Sequence, residues 1–290
     1  MVEPEQLHQT LLQTMRDKGV FQDRRVEAAF AAVPRHLFLH GYPLDVIYDD
    51  RAIAIKQNEE GMVVSSSSQP TMMALMFQQL RLSDGANVLE IGTATGYNAA
   101  VLQHVVGESG RVTTIEIDPE LAQQARENLQ SAGYSHVTVV EGDAADGYAP
   151  NAPYDAIIAT AGVWDVPSAW SDQLKVGGRL VVPIWLDGVQ VSAAFVKQDD
   201  GTFYSASNSP CAFVYLRGKA AGPRMQKRVG STSLYLLADD VDRLDTAALH
   251  MLLSDDHELC HLGAPLDAPD FWYGFQLYLM LKEPSPYVFA

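Results

Sequence analysis

The chain opens with two segments of helical periodicity. Leu7, Leu11, Leu12 and Met15 fall at spacings of four, one and three, and "RRVEAAFAAVPRHLF" reads as a second helix broken at Pro34. From Asn87 the pattern changes to short apolar runs. "NVLEIG", "RVTTIEID", "HVTVVEGD", "YDAIIATA" and "RLVVPIW" read as five strands, with helices predicted over "GYNAAVLQHVVG", "PELAQQARENLQSAG" and "PSAWSDQLKVGG". The second of these helices opens on Pro119 and closes near Gly133, and the third ends in glycine. Such alternation predicts an α/β fold with a mostly parallel central sheet and ligands at the strand C-termini. "GVQVSAAFVKQ" and "CAFVYLRG" read as two more strands, after which the texture changes near Gly218 to Gly222. The expected organisation is N-terminal helices with a serine-containing loop over residues 1–80, a core over 81–218 and a small C-terminal extension over 219–290.

Composition narrows the function classes. With 290 residues, 47% hydrophobic and 19% charged, the chain can build one large domain and a smaller appendage. A net charge of -16 disfavours nucleic acid and anionic membrane surfaces as partners, so any anionic substrate must be met by local donors. Cys211 and Cys260 form no disulfide framework, and reduced thiols are expected. The first residues lack the apolar core of a signal peptide, and no run reaches the ~18 apolar residues of a membrane span. A soluble, cytoplasmic protein is expected.

Candidate chemistry begins at "LEIGTATGYNAA", a turn between a predicted strand and a helix, where Gly92 and Gly96 would bring backbone amides against a ligand. Glu116 ends the next strand, about 20 residues past Gly96, where an acid accepts hydrogen bonds from ribose hydroxyls. The turn has no lysine for a phosphate loop and lacks the third glycine of a dinucleotide fold. Glu90 beside it would repel a pyrophosphate and suits a cationic ligand instead, as S-adenosylmethionine is. Asp143, at the end of "VVEGD", is placed to meet the adenine amino group, unless it only caps a turn. These are three acids at three successive strand ends.

The segment from "AVPRHLF" to "CAFVYLRG", about residues 32–218, resembles the protein-L-isoaspartate O-methyltransferase family, through "VPRHLF", "SQPTMMALM", "VLEIGTATGYNAAVL", "GDAADGYAPNAPYDAIIATA" and "QLKVGGRLVVPI" in the family's order and spacing. The resemblance implies a Rossmann-like methyltransferase that binds S-adenosyl-L-methionine and releases S-adenosyl-L-homocysteine. It implies a cofactor site at Glu90, at Gly92, Thr93, Ala94, Thr95 and Gly96 of the turn, and at Tyr97, Glu116, Asp143 and Ala144, with no metal. The family's substrate motif of Thr, a branched apolar residue, Ser, a variable residue and Pro falls on Ser66, Ser67, Ser68, Gln69 and Pro70. Ser68 is then the implied active-site serine, with Ser66 and Ser67 beside it. A carboxylate of pKa ~4 is already ionised at neutral pH, so its methylation needs alignment and not a base. Serine hydroxyls hold an oxygen without full charge pairing. The plainer reading is that Ser68 caps the helix starting near Pro70.

Three departures from the family shape the expectations. Ala94 stands where the turn has its middle glycine, and is expected at negative φ. Ser66 and Ser67 replace the Thr and the apolar residue, and the chain continues to residue 290 beyond the family's usual end. The substrate is therefore a peptide or protein carrying Asp or isoAsp. Modification of an aspartyl side chain in a ribosomally made peptide, by way of a succinimide, is the leading expectation, with isoaspartyl repair as the alternative and a catalytically silent binding scaffold as the second. In the tail, Arg224, Lys227 and Arg228 read as a solvated linker in preference to a peptide-steering patch. His257, Cys260 and His261 of "HELCH" read as a helix face, not a metal site. The aromatic end, Phe271 to Phe289, reads as a packing segment.

Overall fold

A computed structural model describes residues 3–59, 61–186, 189–222, 226–228, 235–238, 245–254 and 287–289. The chain divides into two compact units, one of Met1–Ile184 with Val191–Ala221, the other of Trp185–Gln190 with Gly222–Ala290. In the first, helices α1 (Pro4–Asp17) and α2 (Arg24–Ala32) lead through a 3-10 turn at Arg35–Phe38 and the short α3 (Leu44–Ile47) to an antiparallel hairpin, β1 (Ile53–Gln57) and β2 (Val63–Ser67). Helix α4 (Pro70–Leu80) follows. Then come β3 (Asn87–Ile91), α5 (Tyr97–Val106), β4 (Arg111–Glu116), α6 (Pro119–Ser131), β5 (Thr138–Glu141), β6 (Tyr154–Ala159), α7 (Ser168–Gln173), β7 (Leu174–Leu186), β8 (Val189–Lys197) and β9 (Phe203–Cys211).

The strands order as β5-β4-β3-β6-β7-β8-β9, and β5 through β7 run parallel. Because side chains alternate along a strand, each central strand feeds two cores. Val88, Ile158 and Val181 pack with the helical residues Phe30, Phe77 and Leu102, whereas Leu89, Ile157 and Leu180 pack with Trp170 and Tyr154. The order reverses at β3, which has β4 on one side and β6 on the other. That is the switch point beside which parallel sheets hold their ligands.

Four local expectations change. The serine run is not a loop: Val63–Ser67 is a strand, in register with Ile53–Gln57. Ser68 does not cap α4, whose N-cap is Gln69. The cap comes from Asp50, whose carboxylate accepts the Thr71 N–H at 2.9 Å and the Thr71 hydroxyl at 2.6 Å. The helix over "PSAWSDQLKVGG" stops at Gln173, and the following residues bulge within β7, so that Tyr154 faces Leu174 while Ala156 faces Arg179. "CAFVYLRG" is not a strand. The last strand of the seven-stranded sheet lies upstream at Phe203–Cys211, and residues 214–216 instead pair their main chain with Gly162.

In the second unit, β10 (Gln226–Arg228), β11 (Tyr235–Ala238) and β12 (Tyr287–Phe289) form an antiparallel sheet, and α8 spans Thr246–Ser254. Lys227 and Arg228 lie in β10. Arg224, the "HELCH" residues and most of the aromatic end lie outside the described residues. Among the described residues, no helix is long and apolar enough to cross a membrane, and no group of three or more His, Cys, Asp or Glu residues could hold a metal.

Asp50 joins α1 to α4, since its carboxylate also pairs with Lys18 Nζ at 2.6 Å. Asp50→Ala is expected to lower the free energy of unfolding by about 1–2 kcal/mol, as loss of a helix cap does. Urea denaturation measures this, and an unchanged midpoint would contradict the assignment.

Candidate active site

The serine strand is placed by a buried cation. Arg35 is 0% exposed. Its guanidinium donates to the carbonyls of Ile47 (2.8 Å), Asp49 (3.3 Å), Arg51 (3.3 Å), Ser67 (3.2 Å) and Ser68 (3.0 Å), and to Ser67 Oγ (3.3 Å). It also lies 6.0 Å from the centroid of the Tyr97 ring, at the start of α5. Burial lowers the Arg35 pKa, while the Tyr97, Asp50 and Asp49 charges act to raise it. Arg35 lies within "VPRHLF", where a lone arginine carries no signal of its partners.

Strand alternation sorts the serines. Ser65 and Ser67 are buried, while Ser66, on the opposite face of the strand, and Ser68, just past its end, are partly exposed. Ser67 therefore points inward to Arg35 and is an anchor, not one of the substrate-facing serines expected. Ser66 lines a cleft together with Val64 and Ser65 of the same strand, Gly92 and Ala94 of the turn, Glu116 and Ala144. Ser68 lies outside that lining, just past the strand.

The turn is built for close approach. Gly92 has φ +95°, and a Cβ there would meet Thr160 Oγ1 at 2.7 Å. That hydroxyl donates to the Gly92 carbonyl at 2.9 Å. Ala94 takes φ +47°, contrary to the negative φ expected. Its N–H donates to Glu116 Oε2 at 2.9 Å, a charge-assisted bond that offsets the cost of about 1–2 kcal/mol for a left-handed alanine. Thr93 bonds through its hydroxyl to Thr114 at 2.7 Å, the Thr95 carbonyl accepts from Asn128 at 2.9 Å, and Gly96 forms the N-cap of α5 ahead of the buried Tyr97.

The three acids differ. Glu116, 5% exposed, lines the cleft and accepts from Ala94 and from the Asp118 N–H at 3.1 Å. Glu90 does not line it. It is 0% exposed, and its Oε2 accepts the Thr114 hydroxyl at 2.7 Å. Burial pushes its carboxyl up to about 8, against the lowering effect of Thr114 and Asn98 and with the Glu116 charge adding to the rise. At neutral pH Glu90 is mostly protonated, so the expected attraction to a cationic ligand does not come from it. Asp143 spends one oxygen on the Ala145 N–H (3.0 Å) and the other on the Lys219 N–H (2.7 Å), matching the capping reading, while its neighbour Ala144 reaches the cleft. The far wall is Val214 to Arg217, which the sequence pattern alone presents as part of a strand.

A glycine turn at the sheet's switch point, an acid at the end of the next strand and small or apolar walls at Ile115, Ile117 and Ala144 fit a nucleoside cofactor with an uncharged base. Fold and cleft are those of an S-adenosyl-L-methionine-dependent methyltransferase. The family described as Protein-L-isoaspartate(D-aspartate) O-methyltransferase (PCMT) matches residues 5–221, and the chain belongs to it. The protein-L-isoaspartate O-methyltransferase of Ignicoccus hospitalis is 39% identical over 213 residues, 73% of this chain and 98% of the relative. That of Methanopyrus kandleri is 39% identical over 210 residues, 72% and 90% of the two chains. A solved protein-L-isoaspartate O-methyltransferase structure superposes with a TM-score of 0.65 at 36% identity, covering 74% of this chain and 67% of that one. A Plasmodium falciparum structure in complex with S-adenosyl-L-homocysteine shares the fold, with a TM-score of 0.63 at 20% identity over 72% of this chain and 98% of that one. The chain is thus a protein carboxyl O-methyltransferase with S-adenosyl-L-methionine as cofactor.

Glu90 makes stability depend on pH. Its folded pKa lies above the unfolded value of about 4.3. Its contribution is therefore full below the unfolded value and lost as pH rises through about 8. Glu90→Gln, which stays neutral, should become more stable relative to wild type between about pH 5 and about pH 9. Urea denaturation across that range reads the difference, and parallel profiles would contradict a raised Glu90.

Proposed function

We propose that the enzyme methylates the α-carboxylate of L-isoaspartyl residues in peptides or proteins. The methyl ester then collapses to a succinimide as the next backbone nitrogen attacks. The observation that carries the reading is the meeting of a serine strand and the cofactor acid Glu116 in one cleft. That cleft lies inside the matched stretch, whose relatives align over nearly their whole length. In this reading Ser66, in the cleft, and Ser68, just past the strand, hold the substrate carboxylate, and the turn at Gly92–Gly96 with Glu116 and Ala144 holds the cofactor. S-adenosyl-L-methionine supplies a methyl group on a sulfonium, and the hydroxyls supply alignment.

Aspartyl methylation in a tailored peptide is the second reading, favoured by Ser66 and Ser67 standing where the family has Thr and an apolar residue. The inward turn of Ser67 weakens it: the change at that position faces Arg35, and Ser66 preserves the hydroxyl of the Thr it replaces. The distinction matters because the two substrates differ only in which carboxylate is presented.

A matched pair of peptides, one isoaspartyl and one aspartyl, tests the proposal by mass-spectrometric detection of the ester. Transfer to the isoaspartyl peptide is expected, and transfer to the aspartyl peptide alone would overturn it. Ser68→Ala should lower kcat about 100-fold or more, with S-adenosyl-L-homocysteine affinity unchanged by calorimetry. A fully active Ser68→Ala would remove that serine from the site.

A further inference from the structure

The far wall of the cleft contributes a cation. Among the described residues that line the cleft, Glu116 and Arg217 carry charge, and their side chains approach to 3.6 Å between Arg217 Nη2 and Glu116 Oε1. The Arg217 side chain is 36% exposed. A contact this long on a partly solvated arginine is weak and exchangeable.

The backbone that carries Arg217 is pinned on both sides. Gly162 N–H donates to the Val214 carbonyl and Leu216 N–H donates to the Gly162 carbonyl, each at 2.8 Å. Beyond it, Lys219 N–H donates to Asp143 Oδ2 at 2.7 Å, and Lys219 Nζ pairs with Asp146 at 2.5 Å. The ring of Tyr215 packs on Trp164 with centroids 4.7 Å apart. Residue 217 is thus fixed at the end of the sheet while its partly exposed side chain lines the cleft, whose other wall carries Ser66.

A protein of net charge -16 whose reaction consumes a carboxylate must overcome repulsion from its own surface and from Glu116 in the cleft. We propose that Arg217 is a specificity-determining residue of this site: its guanidinium exchanges Glu116 for the carboxylate of the substrate peptide and holds that carboxylate in the cleft opposite Ser66. The inference rests on the carboxyl-methyltransferase reading.

The chemistry sets the kinetic signature. A lone pair of one carboxylate oxygen forms the bond to the methyl carbon, the bonding pair of the breaking S–CH3 bond stays on sulfur, and the product is a neutral ester. The charge that Arg217 holds therefore fades on the way to the transition state. An interaction stronger in the ground state than in the transition state lowers KM without raising kcat. It also releases the ester, which offers no charge, and Arg217 can return to Glu116.

The test uses the full chain with Arg217→Gln and Arg217→Lys. The peptide has blocked ends and an isoaspartyl carboxylate as its sole acid, and its carboxamide analogue serves as control. Peptide KM, and peptide Kd by calorimetry in the presence of S-adenosyl-L-homocysteine, should both rise about tenfold in Arg217→Gln. The kcat should stay level or increase, Arg217→Lys should recover part of the affinity, and the carboxamide should bind wild type and Arg217→Gln equally. An unchanged Kd and KM, or an equal loss of affinity for the carboxamide, would overturn the role of Arg217. Wild type that binds the peptide through Arg217 but methylates neither isoaspartyl nor aspartyl peptide would refute the substrate reading and leave the carboxylate contact standing.

Discussion

The buried guanidinium of Arg35 is the constraint on which the site's geometry depends. It leaves the short turn after α2, satisfies three carbonyls of the 47–51 segment that leads into β1, and reaches the end of β2 at Ser67 and Ser68. Both terminal nitrogens of this fully buried cation are met by protein oxygens while its Nε has no hydrogen-bond partner, and removing such a group or its partners typically costs about 3–5 kcal/mol. The partners here are main-chain carbonyls of chain segments that share no regular secondary structure. Arg35 thus ties the end of β2 to the 47–51 segment, while Lys56 ties β1 to Asp118 and Glu120 at the start of α6. Asp50, within the same 47–51 segment, then caps α4, so that the serine strand and the helix that follows it are fixed by one short stretch of chain.

Electrostatics are layered around the cleft. Glu90 lies deepest, bonded to Thr114, whose hydroxyl also meets Thr93 of the turn, and it works as a neutral hydrogen-bonding group. Glu116, one strand over, keeps an open face on the cleft while steadying Ala94 in its left-handed conformation. Arg217 faces it from the other wall. The result is a cleft of near-balanced charge inside a strongly acidic protein, suited to a reaction in which a cationic donor and an anionic acceptor become two neutral products.

The parts of this arrangement that could be read in the sequence are those with local signals. Apolar runs at regular spacing mark β3 to β7, Pro119 and Gly133 mark the ends of α6, and Glu116 follows the glycine turn at the distance a ribose partner requires. Features that depend on tertiary partners were not legible. Serines have no strand preference, so β2 exists because β1 and Arg35 hold it. Ala94 accepts a positive φ because a carboxylate from another strand receives its N–H. Asp143 and Glu90 have the residue type and register of ligand-facing acids, and their partners, the Ala145 and Lys219 main chain for the one and buried Thr114 for the other, are set by tertiary contacts. Residues 214–217 are as apolar and aromatic as a strand, yet their backbone bonds go to Gly162, which makes them a wall of the cleft.

Arg35 holds the end of the serine strand beside Tyr97, which follows the glycine turn, and does not line the cleft. Arg35→Lys, which keeps the buried charge but not the fork of donors, tests it when S-adenosyl-L-homocysteine binding and single-turnover methyl transfer are measured on the same preparation. Binding within a few-fold of wild type and a transfer rate lower by about 100-fold are expected, the loss that a misplacement of roughly 1 Å produces. Wild-type transfer by Arg35→Lys, or a loss of cofactor binding equal to the loss of rate, would contradict it.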